Sequence, residues 1–339
     1  MGRRTQTSPN SDTRPFLEQY SILVTSLPSV ALCAALCFLL TTPFAHSQSP
    51  ERAWLPKPLE PKNNPSSAEK VALGARLFSD PALSQTGTYS CASCHQPDKH
   101  FTDGRKVAIG ATGDSHTRNT PTLYNSAYNA SLGWEDLGLY SLETQHLIPL
   151  LNQDPVEMGF STELLAKLQA VPSYQTDFAR VFSDETTSAG VLTLNNIVMA
   201  IASYVRTIRP PLSAWDKYLY YDKQSVLSDE SKAGMSLFFS DRLACSHCHG
   251  SFNFSGPIQH AREETTPVFH NTEVDGSSLS FRAPTLRAIR HTAPYMHAGQ
   301  LPTLQAVIHH YESSSAERVP EFQLTESERA ELIAFLETL

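Results

Sequence analysis

The chain has 339 residues, which is enough for two domains of ordinary size, each able to bury its own core. Its formal net charge of -8 and its isoelectric point near 5.9 leave no basic surface of the kind that neutralises a phosphate backbone. Nucleic acid is therefore excluded as an expected partner.

The first 47 residues have the pattern of a secretory signal peptide. Arg3, Arg4 and Arg14 lie in a polar start, an apolar stretch follows over residues 29–40, and small residues surround Ala45 and Ser47. We expect cleavage near Ser47 and export to a Gram-negative-type periplasm. An uncleaved anchor is the alternative, but the apolar run is short for a bilayer span, so no stable span is expected after cleavage.

Two similar helices are predicted, one in each half of the chain. Residues 54–67 are rich in Pro and Asn and predict an extended lead-in without regular helix. A short helix is predicted next, over residues 70–78, and a second over residues 231–239. The runs Gly74-Ala-Arg-Leu-Phe and Gly234-Met-Ser-Leu-Phe lie in these helices, which suggests two copies of one structural unit.

Each of these helices precedes a Cys-x-x-Cys-His motif. The two motifs use all the cysteines that remain once the signal peptide, with Cys33 and Cys37, is removed. The thiols of such a motif bond the two vinyl groups of a haem, and the adjacent His reaches the iron. We therefore predict two covalently bound haem c groups. The predicted haem-binding residues are Cys91, Cys94, His95, Cys245, Cys248 and His249.

Half of a zinc site and a dithiol redox pair are the alternatives for one such motif. Two motifs behind a signal peptide, with no further cysteine to complete a zinc site, favour haem. An exported chain would ordinarily use its cysteines for disulfides, so their confinement to these motifs points to thioether bonds.

The rest of the chain predicts further helices and few strands. Apolar residues follow one helix face between residues 197 and 208 and again between residues 304 and 311, and Thr325 and Glu328 form a capping-box pattern before a last helix. We predict a mainly α fold with two cytochrome c-like haem domains and long connecting loops. Residues 48–224 are predicted to form the N-terminal haem domain, and residues 225–339 the C-terminal haem domain.

Several separated motifs resemble those of the bacterial di-haem cytochrome c peroxidases and MauG. They occur in the family's order, and the segments after the second haem motif are most similar to the MbnH-like branch. The motifs are Phe101-Thr-Asp-Gly-Arg105, Arg118-Asn-Thr-Pro-Thr122, Pro155-Val-Glu-Met-Gly159, Ala283-Pro-Thr-Leu-Arg287, Thr292-Ala-Pro-Tyr-Met-His297-Ala-Gly299, Cys248-His-Gly-Ser-Phe-Asn-Phe-Ser255 and Phe269-His-Asn-Thr272.

The resemblance implies that the two irons differ. Tyr311 stands where ordinary di-haem peroxidases place a Met ligand, which implies a His249/Tyr311 pair at the second haem iron. A phenolate ligand favours oxidised iron. Taken without the resemblance, Tyr311 reads as a core residue of a helix. His297 is expected to shape the second haem pocket.

The first haem is expected to be five-coordinate and open to peroxide. The switching distal His of ordinary peroxidases would fall near Ala111, and His116 is close but out of step. The resemblance places Glu157 and Gln145 over the open face, Glu157 as a proton carrier and Gln145 as a hydrogen-bonding group. Pro149 matches a packing residue there. By itself Glu157 reads as a solvated or capping carboxylate.

Three further assignments follow from the resemblance. Trp134 corresponds to a tryptophan that passes oxidising equivalents between the haems, although large aromatics are usually core residues. Oxygen atoms of three residues match a calcium site between the domains: Asn119, Thr292 and Pro294. Asn119 alone could equally be a turn residue. Three arginines are expected to pair with haem propionates: Arg118, Arg282 and Arg287.

The resemblance implies a periplasmic enzyme that uses hydrogen peroxide at the first haem to oxidise a residue of a secreted partner protein. In MbnH-like systems that residue is a tryptophan on a copper-binding partner. The alternative is an ordinary cytochrome c peroxidase that takes electrons from a small cytochrome or cupredoxin. A third reading is a di-haem electron carrier without catalysis, which would have two six-coordinate irons.

Overall fold

The computed structural model describes residues 52–135, 138–183, 190–261, 265–313 and 319–339. The predicted signal peptide lies outside the described residues. Residues 46–339 form one compact unit. No helix in the described ranges is long and apolar enough to cross a membrane.

The described part of the chain is mainly helical, as the sequence predicts. Its helices are α1 (Ala68–Phe78), α2 (Cys91–Cys94), α3 (Leu142–Gln145), α4 (Leu147–Leu151), α5 (Thr162–Gln169), α6 (Pro172–Val181), α7 (Leu194–Val205), α8 (Ala214–Tyr220), α9 (Asp229–Phe238), α10 (Cys245–Cys248), α11 (Leu304–Ser313) and α12 (Glu326–Leu336). Strands β1 (Phe269–His270) and β2 (Phe281–Arg282) form a small antiparallel sheet in which Phe269 pairs with Arg282.

Local sequence signals account for most of these boundaries. The Ser67 side chain accepts a hydrogen bond from the backbone N–H of Lys70 at the start of α1, and Thr325 and Glu328 form the predicted capping box of α12. The helix predicted to reach residue 208 ends at Val205, although Ile208 is still buried. Residues 54–67 contain no regular helix, as their prolines predict.

The two glycine-bearing helices make the same kind of close contact with a partner helix. A Cβ atom on Gly74 of α1 would lie 1.9 Å from the backbone oxygen of Ala200 in α7. A Cβ atom on Gly234 of α9 would lie 1.8 Å from the backbone oxygen of Glu331 in α12. Only glycine permits backbones to approach this closely. The equivalent crossings agree with the proposed internal repeat.

Two apolar cores support these helix pairs. The first is built around α1, α6 and α7 and includes Leu77, Phe178 and Ile201. The second is built around α9, α11 and α12 and includes Phe238 and Phe335. Trp215 of α8 packs in the second core, on the N-terminal side of the predicted boundary at residues 224 and 225. That boundary stays a prediction.

Candidate haem sites

The first Cys-x-x-Cys-His motif forms a single helical turn that holds its histidine in one orientation. Ser90 and Ser93 form a capping box at the start of α2, and His95 ends the turn. The Nδ1 atom of His95 lies 3.1 Å from the backbone oxygen of Phe101. An Nδ1–H donated to that carbonyl fixes the tautomer and leaves Nε2 with a lone pair for a metal.

The second motif repeats this arrangement on α10. The Nδ1 atom of His249 lies 3.0 Å from the backbone oxygen of Phe254. Burial lowers the pKa of His249 to about 4, so its imidazole is neutral at physiological pH. A neutral imidazole with a free Nε2 is the form that binds haem iron.

The cysteines of the two motifs form no disulfide among the described residues, which leaves all four for thioether bonds to haem. Burial raises the pKa of the Cys91 thiol and of the Cys245 thiol to about 12. A dithiol redox pair requires a lowered thiol pKa, so this reading is disfavoured. Within the described ranges no group of three His, Cys, Asp or Glu residues is placed to hold a metal ion, which disfavours the zinc reading.

One cavity joins the second motif to Tyr311. It is lined by Cys245, Cys248 and His249 and, from α11, by Tyr311. Burial raises the pKa of the Tyr311 phenol, and negative charge on the two thiols would raise it further. The phenol is therefore neutral in the protein alone, and only a bound cation would favour its phenolate form. The predicted pairing of His249 with Tyr311 is thus geometrically available.

Arg282 of β2 provides a test of whether this cavity fits haem. Its guanidinium is buried in the cavity wall, where its hydrogen bonds go to the backbone oxygens of Gly133 and Ala283. No carboxylate pairs with it among the described residues, and burial lowers its pKa to about 10. A buried cation without an anion is costly, and a haem propionate would supply that anion.

The other two arginines have protein partners. Arg287 is buried and pairs with Asp216 at 2.6 Å, and it also donates to the backbone oxygen of Phe252. Most of the Arg287 donors are thus engaged by the protein, and its pairing with a propionate stays a prediction. Arg118 pairs with Glu135 on the surface of the same region.

His297 lies in the wall of the same cavity and is held on three sides. Its ring stacks on Phe281, with ring centroids 3.7 Å apart. Its Nε2 atom lies 2.9 Å from the Asp275 carboxylate and 3.1 Å from the Gln300 amide nitrogen. The position of His297 in the cavity wall matches its predicted role in shaping the second haem pocket, and that role stays a prediction.

The residues predicted over the first haem come from three segments. Gln145 ends α3, Pro149 lies in α4, and Glu157 lies in the loop that follows. The Gln145 side-chain oxygen is buried without a hydrogen-bond partner in the described structure. The backbone oxygen of Pro149 accepts a hydrogen bond from Met158, which ties the Glu157 loop to α4.

Glu157 has the protonation behaviour of a proton carrier. Burial raises its pKa to about 7, so both protonation states are populated near neutral pH. Its charge acts on the thiols of Cys91 and Cys94, which places the carboxylate beside the first motif. An ionisable neighbour is His116, whose Nδ1 lies 3.9 Å from the Glu157 Oε1.

Trp134 lies between Gln145, which is predicted to lie over the first haem, and the cavity that holds His249 and Tyr311. It lines the cavity that holds His249 and Tyr311, and its backbone oxygen accepts from the Arg282 N–H. Its neighbour Gly133 has a Cβ position 3.8 Å from the unpaired Gln145 oxygen. This position is compatible with the predicted relay role.

The predicted calcium ligands also meet at this cavity. Asn119, Thr292 and Pro294 all line it. The Asn119 amide nitrogen donates to the backbone oxygen of Arg105 at 2.8 Å, and its backbone oxygen accepts from the Trp134 indole at 3.0 Å. Asn119 thus holds Trp134 in place whether or not calcium binds, and the calcium site stays a prediction.

Three contacts near the haem motifs were not predicted from the sequence. The Tyr89 hydroxyl lies 3.4 Å from the Cys94 sulfur, and the His270 Nδ1 lies 3.7 Å from the Cys248 sulfur. Asp275 fixes His297 from a loop between the two strands. Tyr89 lies just before the first motif and His270 lies in the Phe269-His-Asn-Thr272 run, so their positions could have pointed to these two residues, whereas Asp275 had no such signal.

Two Cys-x-x-Cys-His turns on a helical scaffold, with no disulfide among their cysteines, define a c-type haem protein. Comparison with known proteins gives the family. The family model described as "Di-haem cytochrome c peroxidase" matches residues 68–224. The methylamine utilization protein MauG of Methylophilus methylotrophus is 32% identical over 292 residues, covering 82% of this chain and 84% of the relative. The cytochrome-c peroxidase IdrP1 of Pseudomonas sp. is 33% identical over 365 residues, covering 95% and 92%.

A solved structure agrees with these relatives. A MauG-like protein associated with microbial copper homeostasis superposes with a TM-score of 0.78 and is 36% identical, covering 85% of this chain and 93% of that one. The chain belongs to the di-haem cytochrome c peroxidase and MauG family, whose members carry haem c, and it is a peroxidase-type oxidoreductase.

Proposed function

We propose that this protein uses hydrogen peroxide at its first haem to oxidise a residue, a tryptophan by analogy with its relatives, of a secreted partner protein in the periplasm. The observation that carries the proposal is the shared cavity of His249 and Tyr311. A phenolate opposite His249 would stabilise oxidised iron and make the second haem a poor entry port for electrons. Ordinary peroxidases need such a port.

Bound haem would supply the redox chemistry, and the residues of the chain would supply the proton transfers. Glu157 would take a proton from one peroxide oxygen and deliver it to the other, which leaves as water. Gln145 would direct its amide at the peroxide, and its side-chain oxygen has no hydrogen-bond partner among the described residues. Trp134 would pass oxidising equivalents to the second haem cavity that it lines.

The partner would be a secreted protein of the kind that binds copper. This choice rests on the 36% identical MauG-like structure that is associated with microbial copper homeostasis. A calcium ion held by Asn119, Thr292 and Pro294 would join the segments around Trp134.

An ordinary cytochrome c peroxidase is the second candidate, because the relative IdrP1 covers 95% of this chain. Such an enzyme would draw electrons from a small cytochrome or cupredoxin.

One experiment separates the candidates. The mature holoprotein is purified, its ferric EPR spectrum is recorded, and peroxide is added with either a reduced cytochrome or a co-expressed neighbouring secreted protein. We expect one high-spin and one low-spin iron, slow cytochrome oxidation and a mass change in the secreted protein. Fast cytochrome oxidation without any mass change would instead favour the ordinary peroxidase, and two low-spin irons that ignore peroxide would identify an electron carrier.

A further inference from the structure

A hairpin of residues 108–118 lies beside the first haem motif and carries His116. The backbone N–H of Ala108 donates to the oxygen of Arg118 at 3.0 Å, and that of His116 donates to the oxygen of Ala108 at 2.9 Å. The Tyr89 hydroxyl donates to the backbone oxygen of Ile109 and also contacts the Cys94 sulfur. The hairpin therefore forms one wall of the first haem site.

This hairpin is locked to the loop that carries Glu157. The backbone N–H of Ala111 donates to the Glu157 oxygen at 2.8 Å. A Cβ atom on Gly110 would lie 1.7 Å from the backbone oxygen of Val156, so only glycine allows the two segments to approach this closely. The positions of His116 and Glu157 relative to each other are thus fixed by backbone contacts.

The side chains of His116 and Glu157 lie side by side at the haem site, with 12% and 34% of their surfaces exposed. Their nearest nitrogen and oxygen atoms are 3.9 Å apart, a gap that a small rotamer change or one water molecule closes. Asp114, on the turn of the hairpin, is exposed and acts electrostatically on His116. That carboxylate is the charged group described as acting on His116, and the Glu157 carboxylate acts on the Cys91 and Cys94 sulfurs of the first haem motif.

We propose that His116 is a proton-relay residue, which passes protons from solvent to the Glu157 carboxylate during peroxide reduction. This inference rests on the proposed function of Glu157. His116 does not touch peroxide in this scheme, so it acts through Glu157.

The proton balance shows why such a relay is needed. Reduction of one hydrogen peroxide to two water molecules consumes two protons and two electrons, and the electrons come from the oxidised partner residue. Each proton moves from the His116 imidazolium to the Glu157 carboxylate, and His116 then takes a new proton from solvent. Burial raises the pKa of Glu157 to about 7 and lowers that of His116 from its ordinary value, so the two groups exchange protons near neutral pH.

Stopped-flow kinetics of the ferric holoprotein with hydrogen peroxide test the relay. The wild type, His116→Gln and a control, His260→Gln, are compared from pH 5 to 9, and resting EPR and thermal denaturation are recorded for each. We expect His116→Gln to slow peroxide turnover about tenfold or more and to alter its pH profile, with the resting EPR spectrum unchanged. His260→Gln should match the wild type, because His260 lies outside the hairpin and the Glu157 loop.

Two further measurements separate a relay from a merely structural role. His116→Ala should recover activity when imidazole is added, since a free imidazole can carry the proton. Infrared difference spectra should show the carbonyl band of protonated Glu157, assigned with Glu157→Gln, titrating over the same pH range in the wild type and in His116→Gln. The slower turnover of the variant then reports lost proton delivery and not a shifted Glu157 pKa.

The outcomes that overturn the inference are distinct from failure of the proposed function. Unchanged turnover in a folded His116→Gln protein removes the relay while the peroxidase function stands. Loss of a low-spin EPR signal in that variant would make His116 an iron ligand instead. A wild type that does not react with peroxide would refute the function and the relay together.

Discussion

Substitution of Glu157 by Gln tests the central proton transfer most directly, because the variant keeps the side chain's size and hydrogen bonding but cannot ionise. Glu157 has a pKa of about 7 through burial, so about half of the molecules carry the carboxylate at pH 7. Only the carboxylate can accept the first peroxide proton. At pH 5, two units below this pKa, about 1% of the carboxylate form remains, and the rate should be about fiftyfold lower than at pH 7.

The wild-type rate of reaction with peroxide should therefore rise through pH 7 and level off above it. Glu157→Gln should lose this rise and fall roughly 10² to 10⁴-fold below the plateau, the range expected for a general acid–base. Stopped-flow absorbance from pH 5 to 9 measures both effects. Glu163→Gln is a matched control, because Glu163 is fully exposed at the start of α5. A Glu157→Gln protein that keeps the wild-type rate and pH profile would refute the reasoning.

Three further predictions concern the second site and the scaffold. Tyr311→Met should raise the second haem potential by on the order of 100 mV in a spectroelectrochemical titration, within the roughly 0.8 V that axial ligands span; an unchanged potential would mean that Tyr311 does not bind iron. Arg282→Met should destabilise the holoprotein by about 3 kcal/mol in thermal denaturation, because it removes the buried cation expected to face a propionate. A variant as stable as the wild type would argue against that pairing. Gly234→Ala should lower the free energy of unfolding by roughly 1–3 kcal/mol, because its new Cβ meets the Glu331 oxygen. Gly256→Ala, whose nearest neighbours lie 3.8 Å away, should lower it less, and equal Tm values would contradict the close crossing.

The conditions of these assays follow from the charges at the two sites. Below pH 5 the Glu157 carboxyl is protonated, so peroxide reaction is slow for a reason unrelated to folding. The His249 imidazole, with a pKa of about 4, stays neutral throughout the range from pH 5 to 9. Changes of rate within that range therefore report on the first haem site.

Arg287 and Arg282 differ in the groups that surround their positive charge. Arg287 belongs to the scaffold, because Asp216 neutralises it and it joins α8 to the loop after the second motif. Arg282 belongs to the cavity, because the described structure offers it only backbone oxygens. Bound haem is therefore expected to change the stability effect of an Arg282 variant and to leave that of an Arg287 variant unchanged.

The sequence by itself determined the features that depend on near neighbours in the chain. The Cys-x-x-Cys-His turns, the capping box of α12 and the proline-rich lead-in are encoded within a few residues, and the structure has each of them where the sequence predicts it. Helix propensity and capping act over three or four positions, so a single sequence is enough to recognise them.

Only the tertiary structure decided which distant side chains meet. It brings Tyr311 into the cavity of His249, as the resemblance implied, leaves Arg282 with no carboxylate partner among the described residues, and sets His116 beside Glu157. These contacts join segments 40 or more residues apart, and they depend on how helices and loops pack. Local pattern carries no information on that packing, since the same histidine or arginine fits many surroundings until the backbone around it is fixed.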